Sequence, residues 1–182
     1  MNTFLIVLFI IIVIILILSI TYIILYNKIN DTIIRINEAE NRIDNNLRDK
    51  YDTLNRLQTL IKGKIKISDE KFKDILKLRS RKLSNFELDR ALVKIHNDFI
   101  AIYEKYDELK SSDEIFKSYK QLEIIDEELN TLRTYYNANI ATYNKMIKKF
   151  PTLIIAKIKK YKEKLFYDLK DQNDDDYEDF KL

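Results

Sequence analysis

Ile115–Pro151 reads IFKSYKQLEIIDEELNTLRTYYNANIATYNKMIKKFP. Its apolar and aromatic residues fall at Ile115, Tyr119, Leu122, Ile125, Leu129, Leu132, Tyr136, Ile140, Tyr143, Ile147 and Phe150. Every step is three or four, the spacing that puts side chains on one face of an α-helix. Pro151, the one proline of the chain, predicts the end or a kink of that helix.

Working back from this arm, residues 26–62 hold no Gly or Pro and predict a second long helix. Its seam is Ile29, Ile33, Ile36, Ile43, Leu47, Leu54, Leu57 and Ile61, with Gly63 at the expected stop. Ser68-Asp69-Glu70 reads as a helix start, followed by Phe72, Ile75, Leu76 and Leu78. Ser84-Asn85-Phe86-Glu87 fits a capping box, which predicts a break or bend near residue 83. Leu88, Leu92, Ile95, Phe99, Ile102 and Tyr106 carry the pattern on, and Ser111-Ser112-Asp113-Glu114 reads as a second capping box. A last amphipathic helix is expected to Tyr167, with Ile154, Ile158, Tyr161 and Leu165 inward. One Gly, one Pro and no Cys in 182 residues agree with long helices and exclude disulfides and thiolate metal sites.

The start of the chain is different in kind. Phe4–Leu25 is 22 residues without a charge, and Ser19, Thr21 and Tyr22 are its only side chains that are not hydrocarbon. As a helix it is roughly 33 Å long, the thickness of a bilayer core. Summed insertion energies are on the order of −5 kcal/mol or better. A cleaved signal peptide would have a basic start and a small-residue cleavage site, and neither is present. Lys28, Arg35, Arg42, Arg48 and Lys50 follow the segment and no basic residue precedes it. The positive-inside rule therefore predicts an N-terminus outside and the remainder in the cytoplasm. Residues 168–182 hold seven acidic side chains against Lys170 and Lys181, and read as a solvated, disordered tail.

The expected architecture is all-α: a transmembrane anchor over 1–26, an elongated antiparallel bundle of about four to five helices over 27–167, and the acidic tail over 168–182. Arm one leaves the bilayer, arm two returns with its bend, arm three leaves again, and the short last helix folds back. On that order Tyr136 stands roughly 36 Å above the membrane, level with Tyr51-Asp52 and Leu78-Arg79, and Pro151 roughly 50–60 Å above it.

The segment YNKINDTIIRINEAENRIDNNLRDKYDTLNRLQTLIKG (26–63) resembles the LemA family. The family's Tyr-Asn, Ala, Ile-Asp, Leu, aromatic-Asp and Lys-Gly pattern falls on Tyr26-Asn27, Ala39, Ile43-Asp44, Leu47, Tyr51-Asp52 and Lys62-Gly63. Further on, its Arg-x-aromatic-Tyr-Asn, Tyr-Asn and Phe-Pro series is similar to Arg133, Tyr136-Asn137, Tyr143-Asn144 and Phe150-Pro151. The resemblance runs over roughly residues 3–168. Departures are Asp52-Thr53-Leu54-Asn55-Arg56-Leu57 without the family's proline, Tyr106-Asp107 for Tyr-Pro, and Thr152-Leu153 after Phe150-Pro151. The resemblance implies a single-pass membrane protein with a helical bundle, and no established reaction.

Tyr26, Asn27, Asp44, Tyr51, Asp52, Arg133, Tyr136, Asn137, Tyr143, Asn144, Phe150 and Pro151 are thus the candidate interaction or register residues. Tyr136 and Tyr143 lie one heptad apart on the seam, so their hydroxyls are expected to find buried partners such as Asp52 or Arg79. His96 has no Cys or His companion at metal-ligand spacing and reads as a flank residue. Asp126-Glu127-Glu128 are sequence neighbours, which do not face each other on a helix, and read as a solvated face. The basic run Lys145, Lys148, Lys149, Lys157, Lys159, Lys160, Lys162 and Lys164 is the strongest functional lead. A solvated face, docking of acidic protein surfaces or self-contact with the acidic tail, a membrane-surface helix and nucleic acid are its readings. The inferred height of Pro151 argues against the membrane. The absence of a recognised module argues against nucleic acid.

No Gly-rich phosphate loop, Ser/His/Asp set or metal spacing is found, so neither catalysis, a cofactor nor a metal is expected. The expected partners are the lipid bilayer, through residues 4–25, and other proteins. The function expected is a membrane-anchored, non-catalytic scaffold or adaptor. The alternative is a coiled-coil protein that self-assembles as a homo-oligomer in envelope organisation, its seams pairing between chains.

Overall fold

The computed structural model describes residues 2–67, 72, 75, 78 and 83–167. The fold is all-α, with no strand among the described residues. Helix α1 runs Asn2–Lys64, α2 Asn85–Lys105, α3 Asp107–Lys110, α4 Asp113–Lys148 and α5 Thr152–Lys159. The apolar beginning of α1 is long and apolar enough to cross a membrane. Its most apolar 18-residue window has a mean hydropathy of 3.5, and among the described residues none of that window is buried.

The helix ends follow local chemistry. Ser84 and Glu87 form the predicted capping box: the Ser84 amide donates to Glu87 Oε2 at 2.9 Å and the Glu87 amide to Ser84 Oγ at 3.4 Å. Tyr106, expected to continue the helical pattern, is extended and separates α2 from the four-residue α3. The chain turns before α4 as expected, but the Ser111 hydroxyl donates back to the Glu108 carbonyl at 2.9 Å. The predicted helix start at Ser68-Asp69-Glu70, Leu76, Arg79 and the acidic tail lie outside the described residues. Phe72 and Ile75 are buried as predicted, with Phe72 edge-on to Phe99.

Contacts divide the chain into two compact units: Met1–Ala39 with Tyr135–Phe166, and Glu40–Thr134 with Tyr167–Leu182. The second has a core of Ile43, Leu47, Leu54, Leu57 and Ile61 from α1, Leu92, Ile95 and Phe99 from α2, and Ile115, Leu122, Ile125 and Leu129 from α4, all buried. Each such Ile or Leu contributes about 1.5–3 kcal/mol on burial. Tyr119 joins them and donates its hydroxyl to the Phe99 carbonyl at 2.7 Å, while burial pushes its phenol pKa up. In the first unit Ile29, Ile36 and Ala39 of α1 are buried together with Tyr136, Ile140, Tyr143 and Ile147 of α4, and Ile155 and Ala156 of α5.

The direction of α4 corrects the predicted order. Arg42 pairs with Glu128, Lys50 with Asp126 and Arg56 with Ser118, so α4 runs antiparallel to α1. Asp89 pairs with Arg133, His96 with Asp126 and Phe99 with Tyr119, so α4 is antiparallel to α2 as well. Helices α1 and α2 are therefore parallel, where the residues of α2 were expected to run back toward the bilayer. Helix α4 returns toward the apolar segment instead of leaving it. In the first unit Met146 Sδ lies 3.8 Å from the Thr32 hydroxyl, and Lys159 Nζ lies 5.2 Å from the centroid of the Tyr26 ring. The end of α4 and all of α5 thus stand beside residues 26–32, not 50–60 Å from them.

The last helix is also corrected. It stops at Lys160, which is left-handed (φ 54°, ψ 38°), with the Tyr161 amide donating to the Ala156 carbonyl at 2.9 Å. This is a Schellman closure, and residues 161–167 are not helical. Ile154, Ile158 and Leu165, predicted inward, are exposed, as is Phe150 at 79%. The inward face is instead Thr152, Ile155 and Ala156.

Candidate functional site

The polar groups that matter stand at seam positions. In α1, Lys50 falls three residues after Leu47 and four before Leu54, which places it among core residues at 1% exposure. In α2, Asp89 and His96 flank Leu92 by three and four residues, and both are buried. In α4, Asp126 and Arg133 lie at −3 and +4 from Leu129. The helices bring these into two clusters.

In the first, Asp126 accepts from Lys50 Nζ through Oδ1 and lies 2.9 Å from His96 Nδ1 through Oδ2. Burial pushes the Asp126 carboxyl up, but hydrogen bonds from His96 and Lys50, with the Lys50 charge, outweigh it and hold the pKa below the ordinary value. His96 is therefore not a flank residue, and Asp126 is not part of a solvated face. Sequence adjacency describes Glu127 and Glu128 correctly, both exposed, but Asp126 is one step round the helix and faces inward.

In the second cluster Arg133 grips Asp89 with both arms, Nε to Oδ2 at 2.8 Å and Nη2 to Oδ1 at 2.7 Å. Asp89 is fully buried, and the Tyr167 hydroxyl lies 3.0 Å from its Oδ2 and 3.2 Å from the Asn85 carbonyl. Burial and then the Asp89 charge push the Tyr167 phenol up, so it stays a neutral donor. A fork-to-carboxylate pair of this kind is directional as well as strong, and fixes which turn of α4 meets which turn of α2. Arg133 was legible as a candidate. Asp89, Lys50 and Tyr167 were missed. The available signal for Lys50 and Asp89 was a charge at a three-four seam step.

In the first unit the Tyr143-Asn144 pair has a different task. The Tyr143 hydroxyl donates to the Lys162 carbonyl at 3.1 Å. The Asn144 amide donates to the Lys164 carbonyl at 2.9 Å and accepts from the Lys164 amide at 3.0 Å. Together they satisfy the backbone of the non-helical stretch after α5, which has no helical partners of its own. Tyr143 thus meets a carbonyl and not Asp52. Its burial, with the neighbouring Tyr161, raises its pKa. Tyr136 is buried as predicted and Asn137 is half-buried.

The remaining candidates are dispersed. Tyr26 is half-buried, stacked on Tyr22 at 6.1 Å, while Asn27 is exposed. Asp44 pairs locally with Arg48 at 3.0 Å, a surface contact of little weight. Tyr51 is half-buried and Asp52 exposed. Asp52 lies on the wall of an open groove of about 400 Å³ with Asp49, Thr53, Arg56, Gln121 and Ile125. Phe150 and Pro151 are exposed at the turn between α4 and α5, where the Thr152 hydroxyl donates to the Lys149 carbonyl at 2.8 Å. Lys157, Lys159, Lys160 and Lys162 are exposed and Lys164 half-buried. Among the described residues no group of three His, Cys, Asp or Glu side chains is placed to hold a metal ion.

No individually curated protein is similar enough to be matched to the chain. The sequence model of the LemA family matches residues 39–178, a span that holds Arg133, both Tyr-Asn pairs of α4 and both buried clusters, but not Tyr26-Asn27. With most of its length so matched, the chain belongs to the LemA family.

Proposed function

We propose that this LemA-family chain is a membrane-anchored helical scaffold: the apolar start of α1 spans a bilayer, and the bundle is displayed on the cytoplasmic side to protein partners. The observation that carries this reading is the use of the inward polar side chains. Lys50, His96 and Asp126 satisfy one another, and so do Asp89, Arg133 and Tyr167. Groups engaged in this way hold helices in register and are not poised for chemistry. The orientation rests on the basic residues after the span, from Lys28 to Lys50. The self-assembly alternative needs the apolar seams between chains, yet Ile43, Leu47, Leu54 and Leu57 are covered by the chain's own helices.

Proximity labelling from the C-terminus of the full chain in living cells tests the proposal. A reproducible set of cytoplasmic-face proteins is expected, enriched over a control carrying only residues 1–26. Labelling no different from that control would overturn the adaptor reading, and labelling confined to the outer side would overturn the orientation.

A further inference from the structure

Helix α5 is apolar on two opposite sides. Thr152, Ile155 and Ala156 face the chain's own core. Ile154 and Ile158, one helical turn apart on the other side, are 52% and 64% exposed, and Phe150 extends their line into the preceding turn. A helix that is apolar all round normally has both sides covered. Among the described residues, the chain covers one.

Lysines surround the uncovered side. Lys157 flanks the Ile154–Ile158 stripe on the helix surface, and Lys160 and Lys162 follow the last turn. The one acid of this stretch, Glu163, is taken by Lys148 at 2.9 Å. An apolar stripe with lysines at its edge is the composition of a helix that lies in the bilayer interface.

The location identifies the occupant. Lys159, on the inward side of α5, sits over the ring of Tyr26 at 5.2 Å, and the Tyr161 hydroxyl is 3.5 Å from Asn30 Oδ1. Tyr22 and Tyr26 stack at the end of the apolar segment, where an aromatic belt marks the headgroup level. The helix is thus held against the place where α1 leaves the bilayer.

We propose that the exposed side of α5, formed by Phe150, Ile154 and Ile158 with Lys157 and Lys160 at its edge, lies in the surface of that bilayer and takes acidic phospholipid headgroups. The apolar side chains enter the headgroup–acyl boundary, about 5–10 Å deep, and the lysines meet phosphates. This rests on the reading that α1 spans the membrane. The acidic residues 168–182 could neutralise lysines, but their few apolar or aromatic side chains, Leu169, Tyr177, Phe180 and Leu182, are set among seven acids.

The chain has no Cys, so single nitroxide labels can be placed without background. Full-length Ile154→Cys and Ile158→Cys would be labelled and reconstituted into vesicles of phosphatidylcholine and phosphatidylglycerol, with Leu16→Cys and the exposed Lys120→Cys as references. The expected result is that labels at 154 and 158 collide more with dissolved oxygen than with a water-soluble nickel complex, as at 16 and opposite to 120. Replacing the phosphatidylglycerol by phosphatidylcholine should move the label at 158 toward the aqueous pattern; no movement would overturn the headgroup assignment. Aqueous behaviour at 154 and 158 with lipid behaviour at 16 overturns the proposal and leaves the anchor standing. Aqueous behaviour at 16 overturns the anchor. Spin–spin broadening between copies at 158 makes a second chain the occupant and overturns the proposal.

Discussion

Between Glu40 and Thr134 the helices are pinned by buried charge, and between Tyr135 and Phe166 the inward pins described above are neutral, the one charged contact named there, Lys148 with Glu163, lying on the surface. In the first region Lys50, Asp89 and Arg133 sit among apolar side chains and each needs an opposite charge from another helix. In the second, Tyr143 and Asn144 bond to backbone groups of residues 162 and 164. The contrast follows from what must be held. Two regular helices satisfy their own backbones, so only side chains can define their register. A stretch that has left its helix exposes amides and carbonyls, and side chains that both donate and accept can close them. Loss of a pin should therefore be global and large in the first region, local and small in the second.

The largest effect is expected at Arg133. Arg133→Met strands the buried Asp89 carboxylate and should cost about 3–5 kcal/mol, read as a fall in the denaturation midpoint of the whole chain in detergent. Adding Asp89→Leu should recover most of that loss, since no unpaired charge remains. If the double variant is no better than the single, the pair is not what holds α2 against α4.

Asn144→Ala removes both bonds to Lys164 and should cost about 1–3 kcal/mol. Hydrogen exchange should show faster amide exchange confined to residues 161–166, with the amides of residues 92–102 unchanged. Acceleration in both places would remove the distinction between the two regions. Lys160 is left-handed, a conformation that costs a side chain roughly 1 kcal/mol or more. Lys160→Gly should therefore stabilise the turn by about 1 kcal/mol and slow exchange at Tyr161. Destabilisation would contradict the helix end described here.

The smallest effect is the acid titration of Asp126, which is partly open to solvent. Its pKa is lowered on folding, so the contribution is present above the ordinary aspartate value of about 4 and is lost as pH falls below it. Asp126→Asn also strands the buried Lys50 and so should lower stability at every pH, but the mark of the titration itself is a flattened acid limb of the stability curve. An acid limb as steep as that of the unsubstituted chain would contradict the assignment.

Spacing disclosed the helices and nearly all of their inward residues. From Ile115 to Ile147 every seam residue is buried, because periodicity is a local property that packing preserved. Three things were not local. The direction of α4 depends on how many times the chain reverses before it, and Ser84-Glu87 marks a helix start without saying which way the helix runs. The inward side of α5 could not be chosen from its pattern, since Ile154 with Ile158 and Ile155 with Ala156 are equally apolar stripes. The extension to Leu165 kept the right period but passed Lys160, where the backbone turns. Of the site, Arg133 and the Tyr-Asn pair at 143–144 were legible through resemblance. Lys50, Asp89 and His96 interrupt the seams at correct spacing, and a charge on a seam calls for a partner that only the fold can supply.

The central claim is that α4 comes back to the point where α1 leaves its apolar segment. The most direct measurement is a short-reach thiol cross-link between Thr32→Cys and Met146→Cys in the full chain, in vesicles. Rapid linkage within one chain is predicted from the 3.8 Å between the native side chains. Failure to link, with both thiols reactive toward a monofunctional reagent, would contradict the topology and the placement of α5 that depends on it.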